Sequence, residues 1–162
     1  MIQRTNARLR WCVALICVNI AFIWGNSLLP GEISGAVSQF LRDLLVKLFS
    51  IPTQSPSGGH GLLRKLAHFG EFCCLGILLS WLLRMLQNKA WMHYAVPLFA
   101  GFAVACIDET IQYFVPDRGP GLRDVLIDTS GATVGIIVIS VCIWLRIRKQ
   151  EKIFKKQESM KQ

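Results

Sequence analysis

Apolar residues gather into four long blocks separated by shorter polar stretches. Trp11 to Leu29 is apolar except for Asn19, Asn26 and Ser27. A second block runs from Leu62 to Met85; Arg64, Lys65, His68 and Glu71 interrupt it early, and it carries no charge from Phe72 to Leu83. A third spans Trp91 to Phe114, and a fourth, Val125 to Leu145, starts beside Asp124 and contains Asp128. Each block has about the twenty residues, roughly 30 Å of helix, that a bilayer core requires. The pattern predicts an all-α, polytopic membrane protein with spans at about 11–29, 64–85, 91–114 and 125–147. The first block is long for a signal-peptide core, and no small-x-small cleavage site follows it, so it is read as a span.

The connections have their own patterns. Ile33, Val37, Phe40, Leu41, Leu44, Leu45 and Leu48 recur at helical spacing with Arg42, Asp43 and Lys47 off that face. They predict an amphipathic helix in the first loop, lying on the bilayer surface or across the mouths of the spans. Pro52 to Gly61 reads as a loop, and Val115 to Arg123, with Pro116, Gly119, Pro120 and Gly121, as a tight turn.

Composition agrees with the pattern, since hydrophobic residues make up 52% of the chain and mean hydropathy is +0.43. The net charge of +8 would suit a nucleic-acid binder if it were spread over a folded face. Instead seven of the eighteen Lys and Arg lie between Arg146 and Lys161. That placement fits a juxtamembrane tail, residues 148–162, meeting anionic lipid, and no nucleic-acid partner is expected. With both termini inside, twelve bases (Arg4, Arg8, Arg10, Arg84, Lys89 and the seven of the tail) lie on the inner side and six on the outer. The positive-inside rule favours that orientation, with residues 1–10 cytoplasmic, and it sets Trp11, Trp81, Trp91 and Trp144 at the inner interface. The six cysteines all fall inside apolar blocks, where they act as small hydrophobes rather than as a disulfide or zinc framework.

This topology gathers the polar interruptions. Lys65, His68 and Glu71 lie in the outer turns of the second span, Asp108, Glu109 and Gln112 in those of the third, and Arg123, Asp124 and Asp128 at the outer start of the fourth. Arg118 lies in the turn between. Ionisable groups at membrane depth are costly and mark function by default. Such carboxylates pair with bases, bind a cation or hold a proton. His68 and Glu71 at i and i+3, facing Asp108 and Glu109, have the donors of a divalent-cation site, at a spacing that permits one without specifying it. Proton transfer through His68, Glu71, Asp108 and Glu109 is the enzymatic reading; a histidine that fixes helix packing is the plain one. Arg118 and Arg123 are open to two readings, anchors to lipid headgroups or a fork for a phosphate or carboxylate. Asp124, Asp128, Gly131 and Gly135 share one helix face, and the glycine pair permits close approach of the second or third span. Gly70 and Gly76 are candidates for the same role.

The residues also resemble a known family. Arg64-Lys65 with His68-Phe-Gly-Glu71, then Asp108-Glu109 with Gln112, then Pro116 and Arg118, then Asp124-Val-Leu-Ile-Asp128 leading to Gly131 are similar in order to the VanZ-like family of small bacterial membrane proteins. Asn26-Ser27, Ser34 and Ser38 look like that family's serine-bearing first loop. Phe72 stands where an aromatic hydroxyl is common, and Asp128, where asparagine is common, adds a charge. The resemblance implies a bacterial cell-membrane location and, through the family's namesake, an association with resistance to the glycopeptide teicoplanin. It implies no settled reaction.

Two functions are carried forward. In the first, an outer-face pocket engages an anionic envelope lipid or lipid-linked wall precursor through Lys65, Arg118 and Arg123, with Gln112, Asp124, Asp128 and the other acids orienting base or ligand. In the second, a hydrolase or transferase uses His68 or Glu109 as general base. No cofactor is expected, a divalent cation being the lesser alternative, and membrane lipids are the expected partners. The sequence sets no oligomeric state.

Overall fold

A computed structural model describes residues 2–30, 33, 59–86, 89–116, 118–119 and 121–160. Among them there is no strand, and four helices account for nearly all: α1 (Ile2–Ser27), α2 (Gly59–Met85), α3 (Met92–Tyr113) and α4 (Leu122–Ser159). All four are long and apolar enough to cross a membrane. The amphipathic segment expected at 33–48 lies outside the described residues, Ile33 excepted, as do Ser34 and Ser38.

Two helices run beyond their apolar blocks. α2 begins at Gly59, inside the stretch whose glycines predicted a loop. α4 has 38 residues, about 57 Å at the helical rise against a core of about 30 Å. A nucleated helix propagates cheaply through Lys, Gln and Glu, good helix formers, so the basic tail continues α4 as a helix past the length a bilayer can cover.

The helices alternate in direction. Cys12 in α1 lies against Leu78 in α2, Asn26 against Glu71, and Ser80 against His93 in α3. The start of α1, the end of α2, the start of α3 and the apolar end of α4 therefore share one end of the bundle. Phe72, Leu75, Ala105 and Ala132 form a thin core with Ile16 and Ile23 of α1. Large apolar side chains such as Leu15, Phe22, Phe99, Leu126 and Ile137 face outward. Burying them against one another would gain little in hydrocarbon, where helix association depends on close packing and hydrogen bonds.

Close packing centres on α2 and α4. A Cβ at Gly131 would fall on the carbonyl oxygen of Phe69, one at Gly135 on that of Cys73, and one at Gly76 on that of Ala132. The glycine face of α4 thus meets α2. Gly70 has nothing within 4 Å of an added Cβ and plays no part. α3 joins at Gly101, where an added Cβ would lie 2.9 Å from the methyl of Ala132.

Hydrogen bonds complete the end shared by the start of α3 and the end of α2. Pro97 is buried inside α3 and lacks the N–H that would bond the carbonyl of His93. The buried Ser80 of α2 donates its hydroxyl to that carbonyl at 3.0 Å. Nearby, Arg84 donates to Ser140 Oγ at 2.8 Å and stacks 5.5 Å over the ring of Tyr94.

Candidate functional site

At the other end, α1 terminates, α2 begins, α3 terminates and α4 begins, so polar residues far apart in sequence converge there. Local helix geometry does part of the work. Asp108 and Gln112, four apart on α3, stack on one face, and Gln112 Nε2 donates to Asp108 Oδ2 at 2.8 Å. The same nitrogen lies 3.3 Å from Ser27 Oγ at the end of α1. Asn26, one residue earlier, donates to Glu71 Oε1 at 2.9 Å. Glu109 turns the other way and accepts the backbone N–H of Gly121 at 2.9 Å, which fixes the entry into α4.

The bases are distributed unevenly. Lys65 pairs with Asp124 at 2.7 Å at the rim, where the lysine side chain is 39% exposed. Arg123 is exposed. Arg118 points inward: Nε donates to the carbonyl of Leu29 at 3.1 Å and Nη2 to that of Asn26 at 2.8 Å. These carbonyls sit at and just past the end of α1, where backbone acceptors lack i+4 partners; that of Asn26 accepts only the turn N–H of Leu29, at 3.3 Å, from the backbone. Arg118 therefore caps a helix from 89 to 92 residues away in the chain. Burial, with the Arg64 charge adding to it, pulls its pKa below the ordinary arginine value, against Asp108 and Glu109. Its fork is engaged by backbone rather than turned outward as either reading of the sequence had it.

Within this frame is a small recess lined by Arg64, Lys65, His68, Glu109, Gln112, Asp124, Ile127 and Asp128, with a cavity volume of about 10 Å³. That is the scale of one water or one ion, far below the several hundred Å³ of a small-molecule pocket. His68 Nδ1 lies 3.8 Å from Glu71 Oε2 and 3.9 Å from Asp108 Oδ2, near enough for charge contact and too far for a hydrogen bond. One potential ligand atom each from His68, Asp108 and Asp128 lie within 4.8 Å of one another. Asp108 is fully buried and its Oδ1 has no partner; His68 Nδ1, Glu71 Oε2, Glu109 Oε1 and Arg118 Nη1 are likewise unpaired among the described residues.

All ten residues singled out from the sequence lie at this end of the bundle, in different parts. His68, Asp108, Asp128 and Glu109 face the interior; Lys65 and Asp124 form the rim, with Arg123 exposed beside them in the chain; Glu71 and Gln112 tie α2 and α3 to α1; and Arg118 closes α1. Glu71, Asp108 and Asp128 all approach His68, and the three-helix group of candidate ligand atoms is His68 with Asp108 and Asp128, whereas the cation reading of the sequence set His68 with Glu71, Asp108 and Glu109. Glu71 and Glu109 each commit an oxygen elsewhere. Asn26, Ser27 and Arg64 were not among the candidates for this site. Asn26 and Ser27 had a legible signal, two polar side chains in the last turn of an otherwise apolar span.

The fold and this polar end define a multi-pass membrane protein with an acid-rich site at one end of a four-helix bundle. The family model described as VanZ/LLP1 matches residues 11–145, and the chain belongs to that family. No curated protein and no solved structure matches it.

Proposed function

We propose that the polar end lies at the outer face of the bacterial cytoplasmic membrane, with both termini inside, and engages the anionic headgroup of an envelope lipid or lipid-linked wall precursor. The observation that carries this reading is the order of charges: Arg64 and Lys65 line a recess whose other charged side chains are acidic, and the next residue before its Asp124 is the exposed Arg123. A headgroup too large for the recess is held at its rim, where phosphate meets basic side chains. Family membership supports the envelope setting, and through it an effect on teicoplanin susceptibility. Arg118 contributes indirectly, by holding α1 in place.

The test is binding of the detergent-solubilised full chain to phosphatidylglycerol and to an undecaprenyl-pyrophosphate-linked precursor, read by native mass spectrometry. Lys65→Ala with Arg123→Ala should weaken binding of one or both at least tenfold and lower any teicoplanin tolerance the protein confers. Unchanged binding of both lipids would overturn the proposal.

A second reading has a specific observation in its favour. Glu109 Oε1 is unpaired and lines a recess of single-water size beside His68, the arrangement a general base needs to activate water. The substrate class would be the same lipid-linked precursor, with hydrolysis at its phosphate. Product release that persists in Glu109→Gln would eliminate this reading and leave the binding one untouched.

A further inference from the structure

We infer that His68, Asp108 and Asp128 form a divalent-cation site. The three residues come from three helices, α2, α3 and α4, and their candidate ligand atoms already lie within 4.8 Å of one another. Ligands at about 2.1 Å from an ion are about 3 to 4 Å apart, so closing the triangle takes only side-chain adjustment.

Among the described residues no Lys or Arg is paired with Asp108 or Asp128, although Arg64 lines the recess and the Arg118 charge reaches Asp108. Lys65 is paired with Asp124, and Arg118 donates two of its nitrogens to the Asn26 and Leu29 carbonyls. Asp108 is fully buried with Oδ1 unpartnered. Asp128, 2% exposed, has a potential ligand atom in the same triangle. Two buried carboxylates this close cost several kcal/mol each while charged and alone; a proton or a cation relieves that cost, and with an imidazole converging on them from a third helix a divalent ion does so for both at once. The recess beside them has the volume of one ion.

Chemistry narrows the ion. One imidazole and two carboxylates suit zinc or manganese, whereas calcium takes six to eight oxygens. Gln112 Nε2 donates to Asp108 Oδ2 at 2.8 Å and so orients that carboxylate as an outer-shell partner does. Three protein ligands leave a coordination position open towards the recess. Only the occupant of that position, a phosphate oxygen of the headgroup, rests on the function proposed above; the ion site does not.

The experiment is calorimetric titration of the full chain in detergent, first stripped with chelator, with zinc chloride and with manganese chloride in the absence of added lipid. One ion per chain should bind, and the thermal unfolding temperature should rise. Asp128→Asn, which preserves shape, should weaken binding at least about a hundredfold, and Gln112→Leu by about ten- to a hundredfold. His93→Ala, at the opposite end of the bundle, should bind as the parent does. Cobalt loading gives a second readout on the parent chain that needs no variant to fold: visible bands of a nitrogen-and-oxygen site at one equivalent. Failure of the parent chain to bind either ion stoichiometrically, or full-strength binding by a folded Asp128→Asn chain, would overturn the inference. Either result leaves the lipid titration to stand or fall by itself.

Discussion

Each end of the bundle holds an arginine among the helices, and the two are used differently. Arg84 donates to Ser140 Oγ and stacks on Tyr94, and the proline-freed carbonyl beside it is taken up by Ser80. Arg118 sits at an end with five carboxylates among the described residues, Glu71, Asp108, Glu109, Asp124 and Asp128, yet donates to two backbone carbonyls of the α1 end. Among the described residues, the buried atoms left over near Arg84 are two, Arg84 Nε and His93 Nε2, and neither is a carboxylate. At Arg118 the unpaired atoms gather around His68 and Asp108. A chain that supplies a serine for one freed carbonyl can satisfy buried polar groups, so leaving the buried oxygens Glu71 Oε2, Asp108 Oδ1 and Glu109 Oε1 unpaired at one end points to a ligand rather than to packing.

The largest effect should come from breaking what holds the two ends in register. In Gly135→Leu, Cβ falls on the Cys73 carbonyl, backbone that cannot step aside, so α2 and α4 must separate. The cost is about 3 kcal/mol or more, enough to lose the folded monodisperse chain on gel filtration in detergent. Gly70→Ala, on the same helix pair but with open space around it, should leave the elution profile unchanged and stability within about 1 kcal/mol. Equal behaviour of the two variants would mean that the seam does not organise the bundle.

Next in size is the contrast between the arginines themselves. Arg118→Met removes two charge-assisted hydrogen bonds from the α1 terminus and a positive charge from an acidic neighbourhood, a loss of about 3 kcal/mol in SDS unfolding. α1 should loosen with it, so that Cys12, buried against α2 in the parent, reacts faster with a maleimide in a chain whose other cysteines are alanine. Arg84→Met gives up one hydrogen bond and a cation–π contact, about 1 kcal/mol, and should leave Cys12 protected. A larger penalty at Arg84 than at Arg118 would reverse the comparison.

The four helices were legible because bilayer thickness fixes a length and composition follows it. The convergence of His68, Glu71, Asp108 and Asp128 was legible for the same reason: antiparallel spans place interruptions at equal depth whether or not their partners are known. The helix face of Gly131 and Gly135 could be read from spacing, but its choice of α2 over α3 could not, because both offer small residues. What lay out of reach was allocation. Whether Arg118 meets a phosphate, a carboxylate or two carbonyls depends on where α1 ends relative to the turn before α4, and residue types do not encode that distance. The helical continuation of the basic tail was hidden by its polarity, which argues against burial and not against helix.

The smallest effect isolates the Arg84 end. Ser80→Ala leaves the His93 carbonyl without a donor in an apolar setting and should cost about 1 kcal/mol in SDS unfolding. The reason for the serine is the proline. Replacing Pro97 with alanine restores an N–H that can bond His93 within α3, so Ser80→Ala made in a Pro97→Ala background should cost close to nothing. The double-mutant cycle therefore reports a coupling of about 1 kcal/mol between two residues on different helices that act through one carbonyl. Additive costs would show that the hydroxyl serves some other partner, and the contrast between a satisfied end and an unsatisfied one would lose its firmest support.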